Sequence, residues 1–269
     1  MSARTRTPFG GLLLLVVMSL LMLGPIITVI VWAFAVKWRY PNLAPTEWGL
    51  KYWDVILHRS SVIEPIITSL AITSVSTTLA AAICWPAAYA FARIKFPGRQ
   101  LLLFSFIAAQ AVPKFALFVS IATVFLRLGL IGTFWGVVMV QMLSAVLLMI
   151  WIPTAAFRGI PPALEEAGFD LGASRLRVFL SITLPQAMPA LAASYVLSFV
   201  AILFEVDSAL LIGAPKITTM PLTLLTLSTQ VIVQEAAVLC VVIWVPCFAL
   251  LLLTRRFMTS KGIAQGFGA

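Results

Sequence analysis

The chain has 269 residues, of which 62% are hydrophobic and only 10% charged, against roughly 25% charged in an average soluble domain. No soluble fold of this length has an interior large enough for so much apolar side chain, so the composition excludes a soluble globular protein and makes a bilayer the solvent. The formal charge of +9 is scattered among short loops, which argues against a nucleic-acid partner.

Six apolar stretches follow one another along the chain, at residues 10–36, 65–91, 101–126, 133–157, 190–213 and 236–254. Each is long enough to cross a bilayer, which asks for about 20 residues. Backbone groups in lipid must satisfy one another, so the stretches are expected as helices in a single all-α membrane domain covering residues 1–269. Arg4 and Arg6 precede the first stretch, and Ala33-Phe34-Ala35 imitates a cleavage site. A signal peptide has an apolar core of only about 7–15 residues, so a retained anchor is expected. Pro25, Pro86, Pro153 and Pro246 mark expected kinks. Cys84, Cys240 and Cys247 lie inside apolar stretches without metal-ligand spacing and read as small buried hydrophobes. Neither a P-loop nor a catalytic triad motif is visible, so no enzymatic activity is expected of this chain, and no metal site or cofactor of its own.

Lysine and arginine divide unevenly between alternate loops. With the N-terminus inside, eleven fall on the inner side (Arg4, Arg6, Arg93, Lys95, Arg99, Arg158, Arg175, Arg177, Arg255, Arg256 and Lys261) and six on the outer (Lys37, Arg39, Lys51, Arg59, Arg127 and Lys216). The positive-inside rule then puts both termini in the cytoplasm. Trp32, Trp38, Trp48 and Trp53 cluster near the first outer loop, residues 37–64, where indoles favour the lipid boundary.

The inner loop at residues 158–189 has a local logic of its own. Pro161 and Pro162 suit the first turn of a helix, where a missing N–H costs nothing, and Glu165 and Glu166 favour the positive end of that helix's dipole. Gly172 supplies a stop, Ser174 caps a second short helix through Phe179 and Ile182, and Pro185 with Pro189 is expected to end it. Two short helices joined at a glycine would then stand on the cytoplasmic face.

Read as a motif, the segment runs Glu166-Ala167-Gly168-Phe169-Asp170-Leu171-Gly172, then nine residues, then Ile182-Thr183-Leu184-Pro185. It resembles the EAA loop of binding-protein-dependent ABC importer permeases of the type I fold. The resemblance extends over nearly the whole chain, including Gly-Leu-Ile-Gly-Thr at residues 129–133. It departs at Gly168, where the family commonly has alanine, a change expected to loosen the first helix. The resemblance implies a coupling hairpin, with Glu165, Glu166, Ala167, Gly168, Asp170 and Gly172 meeting a cytoplasmic ATPase. It further implies a second permease subunit, two ATPase subunits that hold ATP and magnesium, an extracytoplasmic solute-binding protein, and residence in a bacterial inner membrane among its lipids.

Ionisable groups inside spans are functional candidates by default. On straight helices Lys114 would lie about 20 Å, and Glu205 about 22 Å, from the inner start of their spans, with Gln141 at a similar level. Glu205 and Asp207, two residues apart, would point roughly 200° apart, so only one of them would face a pathway. Lys114 either pairs with a carboxylate or meets solute; Gln110, Ser144 and Ser198 are weaker candidates. Asp170-Leu171-Gly172-Ala173-Ser174 looks closer to the polyamine, ferric-iron and small-solute permeases than to the sugar branch. The excess of intramembrane carboxylate leans the same way, towards a cationic or zwitterionic solute, with a sugar as the alternative. An ion-coupled secondary transporter using the same three charges is the rival from another class, and would not need the EAA hairpin.

Overall fold

The computed structural model describes residues 9–39, 41–229 and 232–258. Arg4, Arg6 and Lys261, used above for orientation, lie outside the described residues, as does the side chain of Arg256. Among the described residues, five helices are long and apolar enough to cross a membrane, and a sixth span is obtained if a bent pair is counted as one. By contacts the chain divides into two compact units, Met1–Ile63 with Leu224–Trp244, and Glu64–Thr223 with Val245–Ala269.

The first unit opens with α1 (Phe9–Phe34), whose leucines and other apolar side chains are exposed along almost its entire length. A helix apolar on every side is compatible only with lipid or another apolar helix around it. The chain then forms an antiparallel pair, β1 (Ala35–Lys37) with β2 (Glu47–Trp48), matching Ala35 to Trp48 and Lys37 to Glu47. Lys37 Nζ and Glu47 Oε2 are 2.6 Å apart. The amphipathic α2 (Lys51–His58) follows. The expected tryptophan cluster takes shape here: Trp32 stacks on Trp38 with centroids 4.4 Å apart, and Trp53 Nε1 donates to Ala33 O at 2.8 Å. Arg59, just after α2, donates to both oxygens of Glu235 at 2.7 and 3.3 Å. Glu235 lies in the first turn of α11 (Val233–Met258), and its carboxylate is almost fully buried. The helix α10 (Met220–Ser228) precedes it.

The second unit is built on α3 (Ser60–Arg93), α4 (Arg99–Gln110), α5 (Lys114–Arg127), α6 (Phe134–Gly159), α7 (Pro162–Asp170), α8 (Arg175–Val178) and α9 (Leu184–Leu203). Its principal helix pair is α6 against α9. At 34 residues α3 is about 51 Å long and so outruns a hydrocarbon core of about 30 Å. Among the described residues, three buried clusters line this unit. One gathers Ala80, Ala81 and Cys84 with Ala145, Met149 and Ile202. A second joins Ile72 and Phe118 to Val137, Val140 and Ile212. A third, beside the α7–α8 region, holds Ala88, Phe157, Ile160, Ala187 and Leu191. Alanines at the first and third clusters let helix backbones approach closely, as packing in lipid requires. Thr133 caps α6 by accepting from Gly136 N at 3.1 Å, and Gly129 and Gly132 before it take φ of 69° and 70°, which explains the two glycines of that motif.

Three expectations need correction. The third span is not one helix. It breaks at residues 111–113, and the axes of α4 and α5 differ by 100°. Pro113 has no N–H to donate and disfavours helical backbone at Val112, so the helix cannot run through. The fifth span ends at Leu203 rather than residue 213; an irregular step at residues 204–206 separates α9 from a short helical segment that continues as a π-helical turn, Ala209–Gly213. At its other end it begins earlier than residue 190, because Pro185 and Pro189 do not stop the second hairpin helix. α8 passes through a π-helical turn, Phe179–Thr183, straight into α9, making one helix over Arg175–Leu203. The π turn falls immediately before Pro185, where the regular bonding pattern loses a donor, and Gln186 Nε2 donates to Ile182 O at 2.8 Å.

Candidate functional site

The α7–α8 hairpin begins with Pro162 in the first turn of α7 and turns at Gly172, which has φ of +79°. Gly172 N donates to Phe169 O at 2.8 Å and Ala173 N to Gly168 O at 3.1 Å. These are the paired bonds of a Schellman cap, which needs a left-handed residue at this position. Ser174 Oγ then accepts from Arg177 N at 3.4 Å to start α8. Gly168 has a packing role besides its effect on helix propensity. It is buried, and a Cβ placed there would lie 2.9 Å from Ile182 Cδ1 and 3.0 Å from Val178 Cγ2. The missing side chain lets the two arms of the hairpin close on each other.

The two neighbouring glutamates face different ways. Glu165 is buried, and its Oε1 accepts from Arg93 Nη2 at 2.9 Å, Arg93 Nε at 3.2 Å and Thr183 Oγ1 at 2.7 Å. Arg93 Nη2 also donates to Ile160 O at 3.0 Å. Glu165 therefore belongs to the hairpin's interior, not its outer face. Glu166, Ala167, Asp170 and Gly172 are exposed, as are Arg175 and Arg177. Among them stand uncovered apolar side chains: Leu164, Phe169, Leu176 and, at 89% exposure, Leu171. Leu164, Phe169, Leu171 and Leu176 thus form a small apolar surface rimmed by charges of both signs, while Glu165 is satisfied in the hairpin's interior.

The four intramembrane candidates do not form the ion pair that Lys114 invited. Lys114 is the first residue of α5, exposed, and makes no ion pair with Glu205 or Asp207. The depth estimate for Lys114 assumed a straight helix and falls with the break at Pro113. Glu205 sits in the irregular step after α9, buried, with both carboxylate oxygens 3.1 Å from Ser208 N. A carboxylate that caps the next turn this way competes with continuation of the helix, which explains a break where there is no proline. Asp207 is the first helical residue beyond the step and is half-buried. The 200° separation of Glu205 and Asp207 does not apply, since no regular helix joins them.

Gln141 on α6 is the third member of this group. It is buried, and its Nε2 donates to Ser208 Oγ at 3.1 Å. Its Oε1 has no hydrogen-bond partner among the described residues, and the same is true of the buried Ser144 Oγ and Ser198 Oγ. Gln141, Ser208 and Glu205 thus form one buried polar step between α6 and the break after α9. Ser208 was missed by sequence reasoning. The signal was present in Glu205-Val206-Asp207-Ser208, whose side chains favour caps over helix interiors.

Comparison with known proteins agrees with this architecture. The permease protein GgtD for uptake of osmoprotective compounds from Synechocystis sp. is 34% identical over 154 residues, 57% of this chain and 52% of that protein. The maltose/maltodextrin transport system permease protein MalG of Escherichia coli (strain K12) is 34% identical over 151 residues, 54% of this chain and 48% of that protein. The chain thus spans about half the length of these curated relatives. A bacterial ABC transporter involved in import of the acidic polysaccharide alginate has the same fold, with a TM-score of 0.68 over 96% of this chain and 99% of that one, at 18% identity. The inward-facing MetNI methionine ABC transporter matches with a TM-score of 0.56 over 72% of this chain and 95% of that one, also at 18% identity. Residues 85–260, which contain the hairpin, α6 and the polar step, match the family described as the binding-protein-dependent transport system inner membrane component. The chain belongs to that family, the multi-pass inner-membrane permease subunits of ABC importers.

Proposed function

We propose that the α7–α8 hairpin docks a cytoplasmic ATPase and that this chain conducts solute together with a second permease subunit. Hydrolysis belongs to two partner ATPase subunits, which hold the ATP and magnesium, and an extracytoplasmic protein delivers the solute. Both termini and the hairpin lie on the cytoplasmic side. The observation that carries this proposal is the division of labour in the hairpin: Glu165 is satisfied inside, while Glu166, Asp170 and the apolar side chains beside them are uncovered. The test is capture of the co-expressed cognate ATPase by detergent-solubilised permease. Glu166→Ala is expected to weaken capture about tenfold, the loss of one charged contact of about 1.4 kcal/mol. Undiminished capture by Glu166→Ala combined with Gly172→Val would overturn the docking role.

For the solute, the reading best supported is a small cationic or zwitterionic molecule, with a polyamine as one candidate. Glu205 is buried without a basic partner among the described residues, beside an unpaired Gln141 Oε1. Both are acceptors, as a donor-rich solute would need. Gln141, Glu205 and Asp207 are the pathway candidates, and Lys114 joins them from the break between α4 and α5. A neutral sugar is the second reading, favoured by the 34% identity to a maltose/maltodextrin permease. Uptake by vesicles of radiolabelled spermidine and of maltose, each with the cognate binding protein, separates the two. In the first reading Glu205→Gln raises the half-saturating concentration while leaving the amount of inserted protein unchanged; wild-type uptake by Glu205→Gln and Asp207→Asn removes both from the pathway.

A further inference from the structure

We propose that Arg93 and Glu165 are positioning residues that fasten the hairpin to the end of α3, so that movement of the hairpin is carried into that helix as well as into α9. This inference rests on the docking role proposed above. The chain itself joins the hairpin only to α6, through Ile160 and Pro161, and to α9, through the π-helical turn. α3 has no such connection. Its polar link is one carboxylate oxygen, beside the edge-on packing of Tyr89, on α3, against Phe179 of the π-helical turn at 5.0 Å between centroids: Glu165 Oε1, on α7, receives two bonds from Arg93, the last residue of α3, and one from Thr183 in that turn. The same guanidinium holds Ile160 O, at the end of α6. Four elements therefore meet at a pair whose side chains are only 15% and 10% exposed. Arg158 adds a second, longer link, donating to Phe91 O at 3.4 Å.

The geometry suits transmission of a push. A guanidinium that gives two donors to one oxygen and a third bond to a carbonyl is fixed in orientation, not only in distance. Burial keeps water from replacing any of these bonds during a stroke. A surface ion pair would lack both properties. The free arm of the hairpin, carrying Glu166 and Leu171, is then one end of a rigid body whose other end includes α3.

The test uses the permease assembled with its ATPase in nanodiscs, in a background with Cys84, Cys240 and Cys247 replaced by alanine. Spin labels on Lys95→Cys, two residues beyond α3, and Ala163→Cys, exposed on α7 and outside the apolar surface of the hairpin, report the distance between helix end and hairpin without nucleotide and after trapping with magnesium, ATP and vanadate. In the parent this distance stays the same in the two states. In Arg93→Met it shifts by several ångströms or broadens on trapping, while ATPase capture is retained, and Arg93→Lys restores part of the rigidity. Glu165→Gln, which keeps size and an acceptor, serves if Arg93→Met fails to insert. A purely structural role would lower the yield of Arg93→Met or Glu165→Gln and leave the distance fixed, and that result overturns the proposal. A parent distance that changes on trapping overturns it too. ATPase capture reports on docking separately: if Glu166→Ala and Gly172→Val leave capture intact, the docking role fails, whereas intact docking with an unmoved distance in Arg93→Met retires the positioning role alone.

Discussion

Replacing Gly172 by valine isolates backbone strain in the hairpin from every other effect. Gly172 has φ of +79°, and a Cβ built on it would meet no heavy atom within 4 Å. No clash is introduced, so the cost is that of holding an L-residue in the left-handed region, about 1 kcal/mol for alanine and about 2 kcal/mol for a β-branched side chain. The turn can escape the strain by giving up the bonds from Gly172 N to Phe169 O and from Ala173 N to Gly168 O, at a net loss of about 1 kcal/mol each. Either route shifts the hairpin's equilibrium by about 2 kcal/mol, and docking must restore the turn. The apparent affinity for the ATPase is therefore expected to fall by up to roughly thirtyfold, at 1.4 kcal/mol per factor of ten. Asparagine tolerates the left-handed region, so Gly172→Asn is expected to stay within about threefold of the parent. Gly98, before α4, provides the control: its φ is +80° and its Cβ would also meet nothing within 4 Å, yet it lies outside the hairpin. Gly98→Val carries the same local strain and is expected to leave docking unchanged. The assay is ATPase capture over a concentration series by folded, detergent-solubilised permease. Valine at 172 with parental affinity, or equal loss from Gly98→Val, would refute the reasoning.

Gly168→Val is expected to destabilise the permease by about 1–3 kcal/mol, because Val178 and Ile182 must give way. Gly168→Ala is expected to cost less, since better helix propensity returns up to about 1 kcal/mol, and thermal unfolding in detergent orders the two. Arg59→Met strands the buried carboxylate of Glu235 and is expected to cost about 3–5 kcal/mol, most of it recovered in Arg59→Met with Glu235→Gln; equal melting of single and double variants would speak against the pair. Cysteine in place of Lys51 or Lys216 is expected to label from outside intact cells and in place of Lys95 only after permeabilisation. Outside labelling at residue 95 would reverse the proposed orientation.

What the residues decided alone is what short-range physics decides. Apolar runs longer than 20 residues have to become helices in lipid, and α1, α3, α6 and α11 appear where the composition put them. Gly172 takes the left-handed turn and Ser174 caps α8, because both depend on bonds made within a few residues. The EAA-type spacing was legible for the same reason, and it pointed to the permease family before any distance was known. Pro113 was equally visible, but proline says that a helix is interrupted, not that α5 leaves at 100° to α4; that angle is set by what the two helices pack against. The direction of a side chain was beyond sequence as well. Glu165 and Glu166 are adjacent and chemically identical, yet one is buried and the other exposed. The difference arises because Arg93, 72 residues earlier, ends α3 beside the first of them. Arg59 and Glu235 meet across 176 residues for the same reason. These two buried carboxylates find their partners through the packing of whole helices, and helix packing is a property of the folded chain rather than of any segment in it.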